Sequence, residues 1–201
     1  TKRAACQLIC EYTCTPESWF VKHVAARDLW IFDDPNTKAV CRAIGLLDRK
    51  EPNYTMEQLE DMLYVDQMVL IQRGTLLLET DQKVMSSFVE RAIDIRIDFG
   101  NTTSMAKYLK VGIGEWDQPT MGHLISELGN ELAKDRSISL IDWPDGGVTL
   151  RADKTNANSI SCAALAKTLG GGGHPGAAGF KRPKGRETES LKEIFPEVFL
   201  D

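Results

Sequence analysis

Between Leu169 and Phe180 the chain reads LGGGGHPGAAGF. No other stretch narrows its folding options so much, because glycine loses more conformational freedom on folding than any other residue and has no side chain to pack. Four in a row make a poor helix or strand interior, so the pattern predicts a loop kept open around His174, one of three histidines in the chain. Gly171, Gly173 and Gly176 fit the letters G-x-G-x-x-G, but that fingerprint needs a strand before it and a helix after it, and here a helical pattern comes first. A P-loop would close on Gly-Lys-Ser/Thr where this chain has His174-Pro175. Two readings stay open. One is a long helix C-cap with an incidental histidine. In the other, bare backbone N–H groups form a concavity for phosphate oxygens beside a hydrogen-bonding imidazole, and Ala177, Ala178 and Gly179 keep the next segment small enough for close approach.

The flanking sequence predicts an α/β setting. Ile93 to Phe99 alternates apolar and polar with period two and stops at Gly100-Asn101, the pattern of a half-buried strand. Leu124, Ile125, Leu128 and Leu132 define one helical face. Ser137 to Trp143 and Val148 to Asp153 flank the turn sequence Pro144-Asp145-Gly146-Gly147 and predict a hairpin. Alternation in its second strand sets Val148, Leu150 and Ala152 against Thr149, Arg151 and Asp153, so Arg151 is expected to face away from the core and to offer a forked guanidinium to an anion. Asn158 or a neighbouring Asn or Thr would cap an Ala-rich helix running to Leu169.

Upstream, residues 4–14 and 18–28 read as helices, the second opening after a capping Thr15 with Pro16 at its first position. Thr55, Met56, Leu63, Leu70, Leu77 and Val84, with Met62, Val69 and Leu76 beside them, predict a long helix with an apolar stripe that connects two parts of the chain. The chain opens on Thr1, and Ala4 to Tyr12 reads as helix already under way, so a preceding segment is expected.

Five cysteines without a C-x-x-C pair argue against a disulfide framework and a zinc ribbon. Cys6, Cys10 and Cys14 recur every four residues; burial as small apolar side chains is favoured over a soft-metal site. No apolar run reaches the roughly 18 residues of a membrane span, and the reading is cytoplasmic, with no membrane partner. A net charge of −5 disfavours wrapping of long duplex DNA but allows a small anion in a local basic pocket. The basic cluster Lys181 to Arg186 reads equally as a solvated loop or as a phosphate-facing one.

Ser126-Glu127-Leu128-Gly129-Asn130-Glu131-Leu132-Ala133, Val148-Thr149-Leu150-Arg151, Ala163-Leu165-Ala166 and Gly171-Gly172-Gly173-His174 with Ala177-Ala178-Gly179 stand in an order that resembles the C-terminal substrate-binding domain of DHH-family phosphoesterases. The resemblance implies a helical remnant of a catalytic domain over 1–50, a helical connector over 51–91, and over 92–201 a substrate-binding domain with a mixed sheet flanked by helices. It implies that Arg151, Gly171, Gly172, Gly173 and His174 bind the phosphate end of a short oligonucleotide or dinucleotide. Family members hold two Mn2+ ions on Asp and His ligands, and Arg27-Asp28-Leu29-Trp30 looks like the family's DRDLW-type segment, which makes Asp28 a candidate metal ligand.

The chain departs from the pattern in lacking Asp-His-His and the opening Asp-x-Asp strand, and no catalytic residue is assigned in it. Ala152 replaces a common Ser and removes one hydroxyl contact. The expectation is therefore the C-terminal part or split subunit of a metal-dependent phosphodiesterase, completed by a separate polypeptide that carries Asp-His-His. A catalytically incomplete module that binds nucleotides or RNA ends, or a structural protein retaining the fold, is the alternative. A homodimer is compatible with each.

Overall fold

The computed structural model describes residues 2–45, 64–115, 122–153, 156, 159–187 and 189–200. The chain divides into two compact units, Thr1–Lys83 and Val84–Asp201. The division falls within one long helix, α4 (Gln67–Val89). Thr55, Met56, Met62, Leu63 and Asn158, on which earlier expectations rested, lie outside the described residues.

The first unit holds α1 (Ala5–Tyr12), α2 (Trp19–Asp28), α3 (Thr37–Gly45) and the start of α4. The cap of α2 is Ser18, whose Oγ accepts the Val21 N–H at 3.2 Å, so Thr15 and Pro16 lie before the helix rather than opening it. Gly74 sits where a Cβ would come within 1.8 Å of the Ala39 carbonyl oxygen, which lets α4 and α3 touch backbone to backbone. Arg42 and Asp81 clamp the same pair with two hydrogen bonds, at 2.5 and 3.0 Å. The apolar stripe expected on α4 is narrower than the sequence pattern implied. Leu70 is buried and Leu77 and Val84 are half-buried, whereas Val69 and Leu76 are exposed, because one residue along a helix turns a side chain by about 100° away from the packed face. The cysteines also depart from expectation. α1 stops at Tyr12, Cys14 has a left-handed φ of 54° beyond it, and Cys6, Cys10 and Cys14 are half-buried or exposed rather than core. All five cysteines are free thiols.

In the second unit, β1 (Ile93–Phe99), β2 (Thr102–Lys110), β3 (Ile138–Asp142), β4 (Gly147–Arg151), β5 (Gly172–His174), β6 (Ala177–Lys181) and β7 (Phe199–Leu200) form one sheet. Their spatial order is β5-β6-β4-β3-β2-β1-β7. β2 and β3 run parallel and every other pair is antiparallel, so the sheet is mixed, and the expected α/β architecture is present. Helix α5 (Ile125–Ala133) packs on one face through Leu128 and Leu132, against Leu109 and Ile141 and with Phe88 from the end of α4. Helix α6 (Cys162–Thr168), capped by Ser161 rather than by an Asn near 158, covers the other face through Leu165 and Ala166, above Leu140, Leu150 and Phe180. A short helix, α7 (Leu191–Ile194), closes the same side. With cores on both sides, every residue of β3 is buried. Among the described residues no helix is long and apolar enough to cross a membrane.

The strand β1 and the β3–β4 hairpin form where the sequence pattern placed them. Gly146, at φ 79°, supplies the positive φ that returns the chain from Trp143 to Gly147. At the β1 end of the sheet Asp94 accepts hydrogen bonds from Arg136, and Lys107 lies 3.2 Å away. Those bonds, Arg136 first, lower the Asp94 pKa from 3.8 to about 2. Because the folded pKa is depressed, the stabilisation is present above the ordinary value and lost as pH falls through about 2. Asp94→Asn is expected to flatten the loss of stability across that window, read from urea midpoints at pH 5 and below; an unchanged slope contradicts it.

Candidate functional site

The glycine run contains a strand, which corrects the expected open loop. Gly170, at φ 81°, ends α6, and the Gly171 N–H reaches back to the Ala166 carbonyl at 2.7 Å, a Schellman-type stop. Gly172–His174 then pairs as β5 with β6, across Pro175-Gly176. Backbone proximity fixes two of these glycines. A Cβ on Gly171 would lie 2.1 Å from the Gly179 carbonyl oxygen, and one on Gly173 would lie 2.5 Å from the Ala178 Cα. Gly172 meets nothing within 4 Å.

Register decides what the run faces. Arg151 pairs with Ala177 and Ala177 with His174, while Thr149 pairs with Gly179 and Gly179 with Gly172. Residues directly opposite in antiparallel ladders project to the same face, so Arg151 and His174 share one face with only the Ala177 methyl between them, about 10 Å apart at two strand spacings. The next row on that face, Thr149–Gly179–Gly172, carries a single side chain. The intervening row, Leu150–Ala178–Gly173, turns to the core under α6. Arg151, Gly172 and His174 are thus brought together; Gly171 and Gly173 place the strand that carries them.

Arg151 is not open to solvent as expected; it is half-buried beside α5. A Cβ on Gly129 would strike its Cγ at 2.5 Å, so the helix leaves a groove in which the side chain lies. Its guanidinium donates to the Leu150 carbonyl at 3.0 Å and to Ser126 Oγ at 3.2 Å. Burial lowers its pKa, opposed by Cys162 and Glu127. In turn burial pushes the Cys162 thiol up to about 12. Ser126 and Gly129 are the positioning residues that sequence reasoning missed, and their i, i+3 spacing on one helix face was the available signal. Ala152 contributes its methyl to the core, so a hydroxyl there would point into apolar packing rather than toward Arg151.

The basic cluster divides. Arg182 is buried and ion-paired with Asp142, which also accepts the Tyr108 hydroxyl at 2.5 Å. Burial and that carboxylate hold the Tyr108 phenol above its usual range. Arg186 pairs with Glu189, and Lys181 stands 3.6 Å from Asp145. Arg182 is therefore structural, neither a solvated residue nor a phosphate ligand.

Asp28 is the exposed last residue of α2 in the first unit. His23 is buried there, bonded through Nδ1 to Thr37 Oγ1 at 2.9 Å, and stacks edge-on against Trp19. Among the described residues no group of three His, Cys, Asp or Glu could hold a metal, so the donor set does not fit the two-Mn2+ centre that the resemblance implies.

The DHHA1 domain family matches residues 103–199, from β2 through β7. No curated protein matches the chain. Among solved structures, the DHH domain of a member of the s1p family of ribosomal proteins is similar at TM-score 0.54 and 15% identity, over 82% of this chain and 41% of that one. The chain thus spans about two fifths of that protein's length. An uncharacterized protein from Helicobacter pylori G27 aligns at TM-score 0.33 and 14% identity, over 97% of this chain and 65% of that one. The pGpG-specific phosphodiesterase PggH from Vibrio cholerae aligns at TM-score 0.44 and 11% identity, over 95% and 72%.

Proposed function

We propose, given that residues 103–199 are a DHHA1 domain and that the chain carries the C-terminal portion of the DHH family, that it holds the phosphate end of a short oligonucleotide or dinucleotide for a DHH-family phosphodiesterase. One observation carries the reading: Arg151 and His174 share a face of the sheet that Ala177, Gly179 and Gly172 leave bare. A guanidinium already oriented by Ser126 loses little freedom on meeting an anion, and an imidazole on the edge strand can donate to the same anion or to the next one along. A net charge of −5 favours a short ligand over a long one, since each added phosphate would meet the repulsion of the whole surface.

Hydrolysis is assigned to an Asp-His-His portion outside these residues, with Mn2+ as its metal and Asp28 as the one ligand these residues would add. The free thiols suit a cytoplasmic setting.

Calorimetry with a 5'-phosphorylated dinucleotide tests the binding half. Arg151→Ala and His174→Ala are each expected to weaken affinity by roughly 10- to 100-fold, the value of a charge-assisted hydrogen bond. Arg151→Lys is not expected to restore it, because an ammonium cannot keep both the Ser126 contact and a forked grip. Unchanged affinity in both alanine variants removes the assignment. For the catalytic half, Mn2+-dependent cleavage is expected only when an Asp-His-His polypeptide is supplied; full cleavage by these residues alone overturns it, and binding without cleavage in its presence favours the non-catalytic module.

A further inference from the structure

Every second residue of β4 and β6 faces the side on which Arg151 and His174 stand, and two further rows follow theirs toward the β3–β4 hairpin. The first is Thr149–Gly179–Gly172 and the second is Gly147–Lys181. Glycine holds their other positions, so one hydroxyl and one ammonium are the only side-chain polar groups that these rows carry. An open cleft of about 750 Å³ lies over this end of the face, lined by Thr149, Gly179 and Lys181 among others. We propose that the three rows are consecutive phosphate seats for one extended strand. The terminal phosphate lies at Arg151 and His174, the second at Thr149 and the third at Lys181, so the preferred ligand is a 5'-phosphorylated trinucleotide rather than a dinucleotide. The proposal rests on the phosphate reading of Arg151 and His174.

The spacing of the rows matches the ligand. Three backbone bonds carry an extended peptide about 3.3–3.6 Å, and a nucleotide has twice as many, so successive phosphates of an extended strand stand about 7 Å apart. Rows two residues apart along a β-strand are separated by about the same 7 Å. Each row also offers a donor. Thr149 Oγ1 accepts the Trp143 Nε1–H at 2.8 Å, and an oxygen that accepts in this way keeps its own hydrogen to donate. No acceptor for that hydrogen stands among the described residues. At the third row the Lys181 side chain is 76% exposed, and its nearest carboxylate, Asp145, stands 3.6 Å away and is exposed as well. Such a pair is worth about 0–1 kcal/mol, so a phosphate can take the place of the carboxylate. Asp145 has a partner of its own in the turn, since its Oδ1 accepts the Gly147 N–H at 2.9 Å. The ladder has an end. Lys181 is the last residue of β6, and the next cation, Arg182, is turned inward onto Asp142. Three phosphates therefore fill the face.

Titrations of the full chain at low ionic strength with 5'-phosphorylated mono-, di-, tri- and tetranucleotides of one base test the ladder. Affinity is expected to rise at each step to the trinucleotide and to level off at the tetranucleotide. The third step is expected to be roughly 2- to 5-fold, the worth of an exposed ion pair. Lys181→Ala is expected to bring the trinucleotide down to the affinity of the dinucleotide, and to make its plot of log affinity against log salt shallower by about 0.7. Lys181→Arg is expected to keep the step. Thr149→Val, which keeps the shape of the side chain and removes the hydroxyl, is expected to weaken the dinucleotide by roughly tenfold. The mononucleotide, which does not reach that row, is expected to bind Thr149→Val as it binds the wild type, which also shows that the variant is folded. Equal affinity of the wild type for di- and trinucleotide, a trinucleotide advantage retained in Lys181→Ala, or dinucleotide affinity unmoved in Thr149→Val overturns the ladder and leaves the phosphate reading intact. Mononucleotide affinity unmoved in both Arg151→Ala and His174→Ala overturns the phosphate reading instead. No binding of any of the four ligands to the wild type overturns both.

Discussion

Asp142→Ala is expected to destabilise the chain by about 3–5 kcal/mol, the usual cost of removing one partner of a buried ion pair. Asp142 is 1% exposed and Arg182 6%, so the guanidinium left behind cannot reach water. It has little other support, since its Nε has no hydrogen-bond partner among the described residues. The Tyr108 hydroxyl loses its acceptor in the same step. Asp142 ends β3 and Arg182 follows β6, so the defect lies against three strands, because β4 runs between them. Urea denaturation should show the effect as a lower midpoint with the slope unchanged. The double variant Asp142→Leu/Arg182→Met should recover most of the loss, because it removes both charges and leaves apolar volume in their place. A loss under about 1 kcal/mol in Asp142→Ala would show that the pair is not desolvated.

Gly171→Ala is expected to detach β5 from β6. The added methyl carbon would sit 2.1 Å from the Gly179 carbonyl oxygen and 2.6 Å from the Phe180 Cβ, and backbone cannot yield as a flexible side chain can. Overpacking of this kind costs about 1–3 kcal/mol. The effect on ligand affinity should be larger in proportion, since His174 leaves the row of Arg151 when its strand moves; at least a tenfold loss for the phosphorylated dinucleotide is expected, about 1.4 kcal/mol. Gly172→Ala is the control. Its Cβ meets nothing within 4 Å, so stability should change by no more than about 0.5 kcal/mol. Hydrogen exchange at the β6 amides separates the two variants. Retained β6 protection in Gly171→Ala, or equal loss in Gly172→Ala, contradicts the close-approach explanation.

Much of the fold was legible because it is local. The alternation in Ile93–Phe99 and the Pro144-Asp145-Gly146-Gly147 turn depend on neighbouring residues, and both elements formed as read. The β5–β6 hairpin had its own local signal in Pro175-Gly176, a turn dipeptide, but the glycines around it read as a loop. Arg182 was illegible for a different reason. Its partner is Asp142, forty positions away in sequence, and charge clusters are read from neighbours alone.

The sequence by itself determined the family pattern of the second unit, its mixed α/β character and the shortlist of Arg151 and Gly171–His174. Those follow from residue type and spacing, which are written in the chain. Only the tertiary structure decided where each stands. Pairing of β4, β6 and β5 set Arg151 and His174 in one row, α5 moved the arginine from solvent into a groove over Gly129, and the two-residue period along the strands put Trp143 and Thr149 over the same bare face. Strand register and helix packing join residues far apart in sequence, and the face that a side chain meets is fixed only when those partners are in place.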